Sequence, residues 1–131
     1  MREVKFRGYH IDEVSELPDV SGWRFGYLIY NPDGKELFGK GHYIFDGHYY
    51  WAVVKGSIGQ STGLHDKNGV EIFEVDICKI EFGPLEKPYI GSVNFKYGKW
   101  MLGNAELFLH SVGCEVIGNI YENPELLEAQ R

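Results

Sequence analysis

Four carboxylates crowd one short stretch of this 131-residue chain, Asp66, Glu71, Glu74 and Asp76. Hard cations take several carboxylate oxygens at once, so such a cluster is the first place to look for a metal. The spacing matches no calcium loop. Asp66 opens the turn Asp66-Lys67-Asn68-Gly69, where an aspartate bonds to nearby backbone amides, and Glu71 and Glu74 are expected to face water. The five histidines, His10, His42, His48, His65 and His110, form neither H-x-x-x-H nor H-E-x-x-H. His42 and His48 would approach across a hairpin at Asp46-Gly47, but two imidazoles without an acid or thiolate make a poor zinc site. Cys78 and Cys114 lie far apart without a C-x-x-C pair and read as two reduced, small hydrophobes in strands. Ser57 and Ser61 lack a G-x-S-x-G elbow, and the glycines are spread as turn formers rather than as a phosphate loop or dinucleotide fingerprint. The expectation is a protein with no catalytic residues, no metal and no cofactor, and not an enzyme.

What remains is a crowd of aromatic rings: Trp23, Phe25 and Tyr27, then Tyr43, Phe45, Tyr49, Tyr50 and Trp51. Successive side chains on a strand point to opposite faces, so Tyr49-Tyr50-Trp51 cannot turn every ring inward. With Tyr49 and Trp51 towards the core, Tyr50 faces out beside Tyr30, and these two are the candidate binding residues. Exposed rings anchor protein partners or stack on unpaired bases. The plainer account is a sheet that buries both faces, partly within a homo-oligomer.

These residues need elements to hold them. Trp23, Phe25, Tyr27 and Ile29 alternate on one face of a strand, expected to be the buried one, that stops at Asn31-Pro32-Asp33-Gly34. Tyr43-Ile44-Phe45 and His48-Tyr49-Tyr50-Trp51 flank Asp46-Gly47, a two-residue hairpin signal. A second hairpin turns at Asp66–Gly69, with Asn68 and Gly69 both suited to left-handed backbone. Ile77–Phe82 and Tyr89–Phe95 read as strands, and Tyr97-Gly98 turns the latter into Lys99–Leu102. Asn104 is placed to cap a short helix through Glu106–Leu109. A last strand, Cys114–Ile117, meets Gly118, and Asn123-Pro124-Glu125 carries the cap, proline and acid of a helix start. Turns this short exclude parallel crossovers and favour an antiparallel, all-β domain.

Composition narrows the rest. Hydrophobic residues make up 44% of the chain, too many for disorder, and one domain of this length buries a core without disulfides. A candidate subdivision falls near Lys55-Gly56, separating 1–56, rich in aromatics, from 57–131, rich in turns. Nineteen acids against thirteen bases give a net charge of −6, a poor match to a duplex-DNA binder. The opening Met-Arg-Glu-Val-Lys-Phe-Arg lacks the apolar core of a signal peptide, and no apolar run would span a bilayer. A cytoplasmic location is expected.

Three stretches resemble the YopX family. Val4-Lys5-Phe6-Arg7 is similar to its amino-terminal signature, Gly59–Ile77 to its central motif, and Cys114–Leu127 to its carboxy-terminal signature. The resemblance implies an all-β structure whose later part is a small SH3-like barrel, with short helical segments near the C-terminus. It also implies a phage or prophage origin, hence the host bacterial cytoplasm, and it implies no activity. Two positions depart from the pattern: Val75 stands where glycine is common, and Ser61 where an aromatic is usual. A β-branched residue disfavours positive φ, so either the turn at Val75 has conventional backbone or the glycine usual at this position in the family serves close packing.

The leading expectation is a non-catalytic accessory module that binds a macromolecule, a host or phage protein, and no membrane. The first alternative is a module for RNA or single-stranded DNA, using Lys55, Lys96 and Lys99 beside exposed rings. The second is a metal-dependent small-molecule enzyme.

Overall fold

The computed structural model describes residues 4–13, 19–34, 39–84 and 86–128. The first three residues, on which the reading of the opening partly rests, lie outside that set, as does Leu85 in the loop before Pro88. The protein is built mainly from antiparallel strands, with short helices near the C-terminus, and its chain divides into two units, Met1–Gln60 and Ser61–Arg131.

In the first unit β1 (Phe6–His10), β2 (Gly22–Asn31), β3 (Gly41–Phe45) and β4 (Tyr50–Val53) form an antiparallel meander in the spatial order β4-β3-β2-β1. The sheet curls so far that its last strand meets its first. Val54 N–H donates to the Tyr9 carbonyl at 2.9 Å, and His10 Nδ1 lies 2.7 Å from the Ala52 carbonyl. A carbonyl only accepts, so Nδ1 is the protonated ring nitrogen of His10. Tyr9 N–H donates to Ser57 Oγ at 2.7 Å. Gly8 permits the curl, because a Cβ there would lie 2.8 Å from Val53 Cβ. Inside the curve sit Leu28, Ile44 and Trp51, which face one another across the register, and Ile44 is sealed.

The outer face overturns one expectation. Trp23, Phe25, Tyr27 and Ile29 do share a face, but Phe25 and Tyr27 are exposed. Alternation locates two faces without saying which lies inside a curved sheet, and here the glycine-bearing side is the concave one. The hairpin at Asp46-Gly47 also differs from the two-residue turn expected. Phe45 pairs with Tyr50, leaving a four-residue loop, because Asp46 Oδ1 accepts the His48 and Tyr49 amides at 2.8 Å each. That local bonding outcompetes the tighter ladder. His42 faces Val53, so the register does not pair it with His48.

Strand β5 (Gly59–His65) begins in the first unit, where Gln60 pairs with Phe6, and ends in the second, where His65 pairs with Glu71 of β6 (Glu71–Phe73). The second unit continues with β7 (Asp76–Ile80), β8 (Tyr89–Lys96), β9 (Lys99–Leu102), β10 (Ala105–Glu106) and β11 (Cys114–Asn119). These five make an antiparallel sheet in the order β10-β9-β8-β7-β11, and among the described residues no ladder closes it into a barrel. Ile72, Cys78, Ile80, Val93, Leu102, Leu107 and Cys114 form its core, flanked by Leu64, Tyr89, Trp100 and Val116. Each large aliphatic side chain sealed there contributes about 1.5–3 kcal/mol relative to exposure.

Local chemistry fixes the turns of this unit. Tyr97 and Gly98 both adopt positive φ, 56° and 77°, the signature of a type I′ hairpin. In the turn after β5 only Gly69 is left-handed (φ 80°); Asn68 is not, because Asp66 Oδ1 accepts the amides of Asn68 and Val70 and sets a wider loop. Asn104 caps nothing: Ala105 and Glu106 pair with Leu102 and Met101, and the helix α1 (Leu107–His110) starts from Glu106 without a side-chain cap. The expected start at Asn123-Pro124 is observed as α2 (Glu125–Glu128). Gly118 sits at a bulge in β11, where an added Cβ would lie 2.6 Å from Asn123 Oδ1.

The turn at Val75 corrects another expectation. Its φ is 67°, so a valine holds the left-handed conformation that suits glycine. Three bonds enforce it. Val75 N–H donates to the Val93 carbonyl at 2.8 Å, the Val75 carbonyl accepts from Ile120 N–H at 2.9 Å, and the buried Asp76 carboxylate accepts from Phe73 N–H at 2.7 Å. Tertiary bonding overrides the local preference.

Candidate interaction surface

The outer face of the first unit is built by register. Tyr27 of β2 lies opposite Phe45 of β3, which lies opposite Tyr50 of β4, so three rings form a row across three strands. Phe45 and Tyr50 stack with centroids 4.6 Å apart and planes 30° from parallel. Phe25 is two residues along β2 on the same face, and Tyr49 stands in the adjoining loop. Tyr27 is 61% exposed, Tyr49 66%, and Phe25 and Tyr50 47% each. Rings of this kind lose few rotamers on binding and carry much apolar area, which suits them to a macromolecular contact.

Asp46 orders one end of the row. The Tyr49 amide, the indole Nε1–H of Trp51 and the His48 amide all donate to its carboxylate, which holds its pKa down to about 2. The bond to Trp51 is 2.8 Å long. On the inner face Arg24 lies 4.0 Å over the Trp51 ring and His10 meets its edge at 5.0 Å, so this indole is clamped. The loop is therefore set by charge-assisted bonds and the row beside it is preorganised.

Tyr30 and Tyr50 are both exposed, at 55% and 47%, but the register separates them. Tyr30 pairs with His42 and stacks on it at 4.6 Å, on the face opposite Tyr50, so the expected adjacency is not formed. Tyr50 instead joins Phe45 and Tyr27, the latter expected from the sequence to lie on the buried face. Nor does Tyr49 face the core. The useful signal was Gly8 and Gly26, whose missing side chains mark the concave side.

Elsewhere the polar candidates serve the backbone. Asp66 accepts from the amides of Asn68, Val70 and Val116, at 2.8–2.9 Å, and is buried. Burial pushes its pKa up, but the three amides outweigh that and leave it below the ordinary value. Glu71 accepts from the Ser61 hydroxyl. An open cleft of about 440 Å³ lies in the first unit between Ile11–Glu13 and Ala52–Val54. Its His10 is committed to the Ala52 carbonyl, and Asp12 accepts from the Val20 amide at 3.2 Å. Among the described residues no three His, Cys, Asp or Glu side chains gather as a metal-binding group. Among the same residues no helix is long and apolar enough to cross a membrane.

Comparison with known proteins gives two findings. The family model described as YopX protein matches residues 31–128. The crystal structure of protein EF1440 from Enterococcus faecalis is similar over 97% of this chain and 99% of that one, at 26% identity and a TM-score of 0.51. No curated protein matches.

Proposed function

The chain belongs to the YopX family, and from that premise we propose that it is a non-catalytic, phage- or prophage-encoded accessory module that binds a protein partner in the bacterial cytoplasm. One observation carries the reading: the row Tyr27–Phe45–Tyr50, with Phe25 and Tyr49 beside it, presents apolar rings to solvent on a strand-built face. Monomeric proteins rarely display contiguous apolar surface without a use for it. In this reading the second unit, of the small SH3-like barrel type, supplies the stable scaffold. Affinity capture from infected or lysogenic cells, with and without nuclease, tests it. A partner retained after nuclease and lost with Tyr27→Ala/Tyr50→Ala supports the proposal. Capture of nothing by well-folded protein, or capture indifferent to the double substitution, removes it.

A second reading has its own observation. At the tip of the β8–β9 hairpin Tyr97 is 85% exposed and Phe95 55%, with Lys96 between them, a pairing of ring and cation suited to unpaired bases. Lys99 at the same tip is bound to Glu106, which reduces its availability. Single-stranded RNA or DNA binding that weakens steeply with salt supports this alternative, and salt-indifferent binding removes it.

A further inference from the structure

Two nucleophilic groups in the second unit remain without a role. Cys78 of β7 and Cys114 of β11 are both free thiols, both fully buried, and both in the same core cluster. Their strands are neighbours. Cys78 pairs with Val116 and Cys114 with Ile80, in a stretch of ladder that precedes the bulge, so the cysteines are diagonal neighbours on one face. Side-chain hydrogen bonding between the two thiols is the first cause of their opposite shifts in acidity, Cys78 up and Cys114 down.

We propose that Cys78 and Cys114 close reversibly into an intramolecular disulfide when the protein meets peroxide, tying β7 to β11. The hydrogen bond assigns the order of events. It favours the Cys114 thiolate, whose pKa is lowered, and holds the proton on Cys78, whose pKa is raised. Cys114 opens β11, the last strand of its sheet, directly after the exposed Val112-Gly113 turn, and is held there by the Lys67 N–H, which donates to its carbonyl at 2.9 Å. Edge-strand termini open locally at far lower cost than a whole domain unfolds. The Cys114 thiolate attacks one oxygen of hydrogen peroxide, breaking the O–O bond to give a sulfenic acid, and the departing hydroxide takes up a proton to become water. Cys78 then attacks that sulfur. The S–O bond breaks, the Cys78 proton leaves with the hydroxide as a second water, and the S–S bond forms. Two thiols are oxidised by two electrons and one peroxide is reduced to two waters. A diagonal pair is spaced more widely than a directly opposed one, so closure draws the strands together and leaves a bond that thiols reopen.

The test uses the full chain, kept folded, with millimolar hydrogen peroxide. The expected product is monomeric, lighter by two hydrogen atoms, devoid of free thiol after denaturation, and yields a cross-linked Cys78–Cys114 peptide that dithiothreitol separates. Its urea midpoint is expected to rise and to return on reduction. Cys78→Ser is expected to accumulate a trappable sulfenic acid at Cys114, while Cys114→Ser leaves Cys78 unmodified over the same time. Should either variant fail to fold, the peptide map of the parent chain still decides. Two thiols that stay free in the folded protein under conditions that oxidise it in urea would overturn the proposal, as would disulfides formed only between molecules.

Discussion

The two units seal very different numbers of apolar residues, although both leave rings exposed, Tyr97 and Phe108 in the second among them. Of the twelve buried hydrophobic residues among those described, the first unit holds Tyr43 and Ile44 and the second holds the other ten. The first unit leaves Phe25, Tyr27, Tyr30, Tyr49 and Tyr50 exposed. Charge follows the same division: residues 1–60 carry eight acids and seven bases, whereas 61–131 carry eleven acids and six bases. The difference teaches that hydrophobic content is not a measure of core. The second unit uses aliphatic residues and buried aspartates for stability, and the first keeps its rings available on a nearly neutral surface.

That contrast can be broken by substitution. Leu102 is fully buried in the second core, and Leu102→Ala is expected to cost about 3–4 kcal/mol, read as a lower urea midpoint. A cost near that of a surface change would refute the division of labour. Asp66→Ala strands three amides and is expected to cost about 2–3 kcal/mol. The same residue gives a pH signature. Its folded pKa lies below the ordinary 3.8, so its stabilisation is complete above that value and is lost as pH falls through the folded pKa. Acid titration of the midpoint should show this loss, and Asp66→Asn should flatten it.

Smaller effects sharpen the picture. Val75→Gly relieves a left-handed valine at some cost in unfolded-chain entropy, and a net gain of about 0.5–1 kcal/mol is expected in the midpoint. At the bottom of the scale, Tyr27→Ala should shift stability by less than about 0.5 kcal/mol while abolishing partner capture. A large loss of stability there would mean that the ring row is structural.

Much of this architecture was legible in the residues. Tyr97-Gly98 and Asn123-Pro124-Glu125 specify their turn and helix start through backbone conformation alone, so they read correctly. Elsewhere a competing interaction decided. Asp46 widened its hairpin through side-chain bonds to its own loop, and Asn104 lost its capping role to a two-residue strand. Val75 was misjudged because the bonds to Val93 and Ile120 come from residues distant in sequence. The candidate surface was half visible: Tyr50 was read as outward, but Tyr27 and Phe45 were not, since curvature is a property of the whole sheet.

The meeting of β4 with β1 has a consequence for behaviour in a crowded cell. A lone outer strand offers its amides and carbonyls as a template on which other chains assemble into insoluble aggregates. Here the Ala52 carbonyl and the Val54 amide are already engaged by His10 and Tyr9. Along this edge a second chain therefore finds fewer free backbone groups on which to begin pairing, beside a face that carries exposed rings.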